Sequence, residues 1–372
     1  MRITIERASF LKSLNHVQSV VERRNTIPIL SNVLLQAREG KLSLTATDMD
    51  IEVVETVDAD VARAGATTVS AHTLYDIVRK LPEGAQVQLE FAEADGRLVL
   101  SAGRSRFQLQ ALPKDDFPAM PSGTLPHMFK LSVPELIALI DKTRFAVSTE
   151  ETRHYLNGIY LHAHGEKGKV LLKAVATDGH RLARFELPAP KGANELTGVI
   201  IPRKAINEVR KLLEDADSEV EISLSDTKVR FQLASLTLTS KLIDGTFPDY
   251  QRVIPTGNDK ALEVNRDELK AAVDRVSAVA SEKTRAVRLN IDKGKLVLSV
   301  VSPEAGTATE EIPVSYQHPA MEIGFNARYI LDILERIDGE TAVFLFSDPG
   351  SPTLVRESEG NAALYVLMPM RV

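Results

Sequence analysis

ITIERASFLKSLNHVQSVV (Ile3 to Val21), FKLSVPELIALIDKTRF (Phe129 to Phe145) and LEVNRDELKAAVDRVSAV (Leu262 to Val279) are three versions of one pattern, a short strand running into an amphipathic helix. Each continues into a strand, a tight turn and a second strand: NVLLQAREGKLSLTATD from Asn32, GIYLHAHGEKGKVLLKAVATDG from Gly158 and VRLNIDKGKLVLSVVSP from Val287. A second helix follows each time, in SAHTLYDIVRKLPEG from Ser70, IPRKAINEVRKLLEDAD from Ile201 and NARYILDILERIDG from Asn326. Val69, Ile201 and Phe325 precede the second helices at matched positions, 132 and 124 residues apart, so the chain is a threefold repeat of domain-sized modules.

The helices follow from spacing. Phe10, Leu14, Val17 and Val21 recur at three- and four-residue steps, as do Leu74, Ile77, Val78 and Leu81, and Leu269, Ala272, Val273 and Val276, giving each helix one apolar stripe. Helices are expected over 6–24, 70–82, 134–144, 202–217, 266–285 and 326–338. The segments LSLTAT (from Leu42), VQLEF (from Val87), FQLQAL (from Phe107) and VEISLS (from Val220) alternate with period two, the mark of a sheet covered on one face. The expected fold class is α+β, with two helices per module packed on antiparallel sheet. The Pro- and Gly-rich stretches Phe117 to Met128 and Phe247 to Lys260 read as linkers, dividing the chain into modules 1–125, 126–256 and 257–372.

Composition narrows the function. The 372 residues are 44% hydrophobic and 26% charged, a globular balance, and include no Cys, which excludes disulfides, zinc ribbons, iron–sulfur clusters and a thiol nucleophile. Arg2, Glu6, Arg7 and Lys12 interrupt the apolar run a signal peptide needs, and no later stretch is apolar enough to span a bilayer, so a cytoplasmic protein is expected. A net charge of −6 argues against nucleic acid, yet the charge is unevenly placed: the six expected helices carry a surplus of three positive charges and the remainder a deficit of nine. Equivalent helices presented on one side would add weak basic faces into one surface toward a polyanion.

Five strings carry a resemblance: TIPILSN (Thr26 to Asn32), YLNGIYL (Tyr155 to Leu161), ATDGHRLA (Ala176 to Ala183), TSKLIDGTFPDYQRVIP (Thr239 to Pro255) and the terminal YVLMPMRV (Tyr365 to Val372). Together, and in this order along the whole chain, they resemble the bacterial sliding-clamp family, the beta subunits of DNA polymerase III. The resemblance implies a clamp fold in which two chains join head to tail into a closed ring of six modules whose helices line a hole for duplex DNA. Such a tether holds DNA without sequence specificity, because base-edge hydrogen bonds would trap it at every site. It implies double-stranded DNA, a second copy of the chain, the DNA polymerase III alpha subunit, a separate clamp-loader ATPase and other clamp-binding-motif proteins of replication and repair as partners, with no membrane and no cofactor. Arg24, carried over from the family's DNA contacts, and Arg203, Lys204 and Arg210 are the channel candidates. Before Arg153, where the family offers DNA a neutral polar residue, this chain has Glu150, whose carboxylate repels phosphate.

The resemblance also implies a groove between the second and third modules for short apolar peptide motifs, lined by Arg153, Leu156, Thr177, Gly179, His180, Arg181, Leu182, Pro248, Arg252, Val253, Val366, Met368, Pro369, Met370 and Arg371. The chemistry fits on its own terms: Leu, Val, Pro and pliable Met make an apolar floor, and Arg and His can hold polar groups at the rim. The terminal strand is expected to leave an unprotected sheet end unless something covers it. The dimer contact would join Arg104, Arg106, Phe107 and Leu109 on a module-one edge strand to Ala278, Val279 and Glu304 of module three, basic edge against acidic edge.

Enzymatic readings find little support. Asp48, Asp178 and His180, or His162 with His164, could start a metal or acid/base site, but a site needs three or four converging ligands. No phosphate-binding loop, dinucleotide fingerprint or nucleophile elbow occurs. A metal-dependent nuclease and a peptide-binding scaffold that never encircles DNA remain the alternatives.

Overall fold

The computed structural model describes residues 1–372 other than 24, 122, 167, 218, 282–284, 359, 361 and 372. Among them lie six α-helices: α1 (Arg7–Gln18), α2 (Ala71–Lys80), α3 (Val133–Asp141), α4 (Arg203–Leu212), α5 (Arg266–Ser277) and α6 (Ala327–Leu334). The chain packs as two compact units, the first comprising Met1–Leu136, Pro190–Gly192 and Lys204–Leu242, the second Ile137–Ala189, Ala193–Arg203 and Ile243–Val372.

The helices begin where the sequence places caps. The Glu6 carboxylate accepts from Ser9 N at 2.9 Å, Asn265 from Glu268 N at 3.0 Å and Asn326 from Arg328 N at 2.9 Å. Ahead of α3, Ser132 and Glu135 form a reciprocal capping box, with Ser132 N donating to Glu135 Oε2 at 2.8 Å. All six end earlier than expected. Their apolar stripes continue past the last helical turn because Val20, Val21, Leu213 and Ile337 stay buried, but they do so in turns and a 3-10 segment, Leu213–Asp215. At the end of α1, Ser19 still has helical dihedrals, and its one hydroxyl proton is shared between His16 O at 2.9 Å and Glu208 Oε2 at 2.6 Å.

Unit one holds an antiparallel sheet of thirteen described strands. Its order is His127–Leu131, Val220–Leu224, Lys228–Leu233, Leu236–Lys241, Ile51–Asp58, Lys41–Thr47, Asn32–Arg38, Gly65–Ser70, Ser105–Leu112, Arg97–Ala102, Gln86–Ala92, Arg2–Glu6 and Asp60–Arg63. Strands from two repeats join in it, Leu238 lying opposite Val53 and Thr239 opposite Glu52. Unit two repeats the device in a nine-stranded sheet, where Val366 lies opposite Leu182 and Tyr365 opposite Ala183, and adds a four-stranded sheet. In both, the last strand of one repeat completes the sheet of the repeat before it. Ala363–Leu367 is therefore paired on both sides, to Arg181–Pro188 and to Thr353–Glu357, and the expected unprotected terminal strand is an interior one. The tail beyond it is held by a single bridge between Met370 and Gly324 and by Met368 N donating to His180 O.

Two strands have no such partner among the described residues. Over Ser105–Gln110 one edge of Ser105–Leu112 is open, because Gly65–Ser70 pairs only with Ala111 and Leu112. Gly306–Pro313 ends its sheet, paired only to Lys295–Ser302.

The linker stretches are not loose strings. Phe117 is buried with Ile29 and Leu30 in unit one, and Phe247 and Tyr250 are buried in unit two, so each stretch begins by docking a side chain into a core.

In unit one a polar clasp fastens α1. His16 Nδ1 lies 2.8 Å from Glu55 and Nε2 3.0 Å from Asp215, with the imidazole and Glu55 largely buried. Burial opposes the imidazolium, but the hydrogen bonds and charges of the two carboxylates outweigh it and raise the His16 pKa, while the bond to His16 lowers that of Asp215. A raised His pKa contributes stability that is fully present below the ordinary value of 6.5 and lost as pH climbs through the native one. Urea unfolding of the parent and of His16→Asn is expected to show the parent's advantage shrinking by up to about 1 kcal/mol between pH 6 and pH 9; a pH-independent difference would contradict the clasp.

Candidate functional site

The expected peptide-groove residues are brought together within unit two. Leu156, Leu182 and Val366 share one buried cluster with Val175, Ile200, Phe247 and Tyr250, against which Tyr155, Ile243, Ile254 and Leu364 pack. This forms an apolar floor. Around it the chain leaves apolar surface uncovered: Val253 is 51% exposed and Met368 40%, with Pro248 exposed and Pro369 and Met370 half-buried. Three segments hold this rim. The 3-10 turn Tyr250–Val253 carries Arg252 and Val253, and Arg252 pairs with Asp249 at 2.8 Å. The tail is pinned by Met368 N donating to His180 O at 3.0 Å and Met370 N to Gly324 O at 2.8 Å, leaving Arg371 exposed.

The third segment is the turn at Thr177 to Arg181. Asp178 Oδ1 accepts from His180 N at 2.9 Å and Arg181 N at 3.0 Å, Thr177 Oγ1 donates to Arg181 O at 2.7 Å, and Gly179 takes φ +89°, a conformation a Cβ would strain. Gly179 also lies against the Arg153 guanidinium, which Glu150 holds at 3.3 Å. Asp178 is thus a turn former rather than an acid/base group. With Gly179 N donating to Thr177 Oγ1 at 3.1 Å the turn has four such bonds, and the same four stand in unit one at Thr47 to Ile51, Asp48 Oδ1 accepting from Asp50 N and Ile51 N at 2.9 and 2.7 Å.

Arg181 differs from its expected role at the rim. It is buried, bonded to Asp178 Oδ2 at 3.1 Å, Asp332 Oδ2 at 2.5 Å and Phe145 O at 2.6 Å, with its guanidinium 4.3 Å from the Tyr329 ring centre. These bonds and the Tyr329 and Phe145 rings hold the cation in place, so it backs the groove while lining the polar cavity beside His180. His180 is the rim group, exposed and stacked on Tyr329 of α6, and a polar cavity of about 240 Å3 opens there between Ser148, Glu150, His180, Arg328 and Tyr329. Tyr329, Phe247 and Tyr250 belong to this site and escaped the sequence reading. Phe247 and Tyr250 stood inside a quoted motif but in a stretch read as linker, while Tyr329 carries no local signal.

The channel candidates are placed less uniformly. Arg24 lies outside the described residues. Arg203 opens α4 and is exposed. Lys204 is tied to Asp48 and, at 3.2 Å, to Glu22; burial would lower its pKa, but these two acids outweigh it and raise it, so the ammonium stays charged while partly neutralised. Arg210 reaches Glu214 at 3.4 Å. Lys204 and Arg210 are thus cations shared with acids of this chain.

At the open edges, Arg104 and Arg106 are exposed and Phe107 and Leu109 half-buried. On the other open strand, Glu311 is exposed, Glu310 pairs with Arg275 and Glu304 is exposed in the preceding turn; Ala278 is exposed and Val279 partly so after α5. Among the described residues no three His, Asp or Glu groups, His162 and His164 included, are arranged to hold a metal ion. No helix is long and apolar enough to cross a membrane.

Comparison with known proteins matches the three repeats to three domain models. Residues 1–121 match the DNA polymerase III beta subunit N-terminal domain, 130–249 its central domain and 251–371 its C-terminal domain. The chain is 55% identical over 372 residues to the beta sliding clamp of Caulobacter vibrioides and 42% over 373 residues to that of Pseudomonas aeruginosa, covering all of each. Among solved structures it is similar to the Caulobacter crescentus beta sliding clamp (TM-score 0.98, 55% identity, covering 100% of this chain and 99% of that one). A Bartonella birtlesii DnaN sliding clamp bound to griselimycin also matches, with TM-score 0.97, 51% identity and full coverage of both chains.

Because Arg181 is buried and so bonded, Arg181→Ala is expected to destabilise the protein by about 3–5 kcal/mol, the cost of stranding two carboxylates and a carbonyl. Urea unfolding measures this, and a variant as stable as the parent would return Arg181 to the rim.

Proposed function

Since the chain belongs to the DNA polymerase III beta-subunit family of bacterial sliding clamps, we propose that it acts in the cytoplasm as a ring closed by two copies, with peptide clients docked in the groove of unit two. It is a DNA sliding clamp, a non-catalytic processivity factor that tethers the replicative polymerase. The modules are 1–125, 126–256 and 257–372.

One observation carries the ring. In each unit the last strand of a repeat pairs with the fourth strand of the repeat before it, Leu236–Lys241 on Ile51–Asp58 and Ala363–Leu367 on Arg181–Pro188. The last strand of the first repeat, Ser105–Leu112, and the fourth strand of the third, Gly306–Pro313, are the two left open. A second copy supplies to each the strand it lacks, head to tail, so the interface is heterologous and closes after two chains rather than growing into a filament. Charge agrees: Arg104 and Arg106 flank one edge, Glu304 and Glu311 the other, while Phe107 and Leu109 meet Ala278 and Val279.

Retention by enclosure needs little grip. Arg203, Lys204, Arg210 and Arg24 supply a salt-sensitive, sequence-independent attraction to phosphates, and cations already shared with Asp48, Glu22 and Glu214 hold DNA weakly enough to slide. The groove takes apolar side chains of the polymerase alpha subunit and of other clients on its floor, with His180, Arg153, Arg252 and Arg371 facing their polar groups. A separate clamp-loader ATPase opens the ring.

Chains loaded by that ATPase onto nicked circular plasmid are expected to co-elute with it on gel filtration and to be lost after linearisation, whereas equal loss from both forms would leave only the peptide-binding scaffold. Deleting residues 368–372 is expected to abolish capture of a client peptide while the dimer mass persists; unchanged peptide affinity would refute the groove.

A further inference from the structure

The buried histidine of the His162-x-His164 pair has an assignment once the floor of the groove is in view. His162 Nδ1 lies 3.3 Å from Ala163 O, and a carbonyl only accepts, so Nδ1 carries the proton. That leaves the Nε2 lone pair facing the Tyr250 hydroxyl at 3.0 Å, and Tyr250 donates. The bond is buried: His162 is 7% exposed and Tyr250 5%. We propose that His162 is a positioning residue of the peptide groove, fixing through Tyr250 the 3-10 turn that carries Arg252 and Val253 to the rim. This rests on the groove reading above.

A second contact fixes the other end of the same segment. The Tyr160 ring stacks on His162 at 4.8 Å and on Phe247 at 4.8 Å with planes only 4° apart. Gly198 makes room for it, since a Cβ there would sit 2.3 Å from the Tyr160 hydroxyl. Phe247 and Tyr250 therefore hang from one aromatic group centred on Tyr160 and His162, and the exposed residues Pro248, Arg252 and Val253 sit on the segment it holds.

The surroundings keep His162 an acceptor. It lies opposite Lys173, which lies opposite Glu186; Lys173 bonds Glu186 at 3.2 Å, and Arg184 approaches the same carboxylate. Arg184, Glu186 and Tyr160 also face Tyr250, and His164 stands two residues along the strand. Lys173 stands across from His162, and an imidazolium there would set like charge against it. Burial holds His162 below its ordinary value; the Ala163 carbonyl pulls the other way and Lys173 adds to the lowering.

The test measures binding of a fluorescein-labelled Ser-Leu-Ser-Leu-Phe peptide to the full chain by anisotropy, with thermal melts of each variant. His162→Leu and Tyr250→Phe are each expected to weaken binding about tenfold, and the double variant to fall within about twofold of either single one, because both remove one bond. His162→Gln, whose amide oxygen still accepts, is expected to bind within about threefold of the parent. Tyr250→Phe loses only a hydroxyl, so it reports even if His162→Leu folds poorly. Losses that multiply in the double variant, a Gln variant as weak as Leu, or parent-like binding throughout would each overturn the assignment while the groove stands. A parent chain that does not bind the peptide would remove the groove and the assignment together.

Discussion

An open strand edge is a row of backbone donors and acceptors that must find partners, and this constraint organises the molecule. No repeat completes its own sheet. Leu236–Lys241 closes the first repeat's sheet in unit one and Ala363–Leu367 closes the second's in unit two, so each junction is made of ladder hydrogen bonds rather than side-chain contacts alone. The chain then runs out of repeats, with one edge of Ser105–Gln110 and one edge of Gly306–Pro313 lacking a strand among the described residues. In the proposed ring a second copy would extend the same strand pairing that built the interior junctions, with the charges at the edges setting direction rather than strength.

The same turn serves two ends. Thr47 to Ile51 and Thr177 to Arg181 share their backbone bonds down to the acceptor atoms, and each leaves one carboxylate oxygen of its Asp free to recruit a cation. In unit one Asp48 takes Lys204, a channel candidate, and tempers its charge. In unit two Asp178 takes Arg181, whose remaining bonds to Asp332 and Phe145 O weld the groove's back wall. A repeated sequence element acquires separate functions through the partner its spare oxygen meets. For a ring that slides, cations already half-satisfied within the protein suit the task, since strong phosphate contacts would oppose movement.

Much of this was legible in the sequence. The threefold repeat, the six helices and the alternating strands follow from periodicity, because a buried stripe needs apolar residues at the spacing of its own geometry. The helix ends were overrun, since Val21, Leu213 and Ile337 are as buried in turns as they would be in helices, and burial is all that periodicity reports. The residues expected to line the groove come together around one buried cluster, while Arg181, expected at its rim, is buried and bonded to Asp178, Asp332 and Phe145 O. A sequence shows that a charge is present but not whether distant Asp332 has already taken it. Phe247, Tyr250 and Tyr329 were missed for the same reason: their role depends on what lies opposite.

By itself, then, the sequence determined everything local: repeat length, helix and strand periods, caps at Glu6, Asn265 and Asn326, the Asp turns, and the absence of cysteine or nucleotide-binding chemistry. Tertiary structure alone decided which strand closes which sheet, that Ser105–Gln110 and Gly306–Pro313 each keep an open edge among the described residues, which cations are spent on internal acids, and that His162 serves Tyr250. The reason is range. Caps and turns are settled between residues a few positions apart, whereas strand partners, buried ion pairs and the Tyr250–His162 bond join residues roughly ninety to two hundred positions apart, whose meeting only the folded chain arranges.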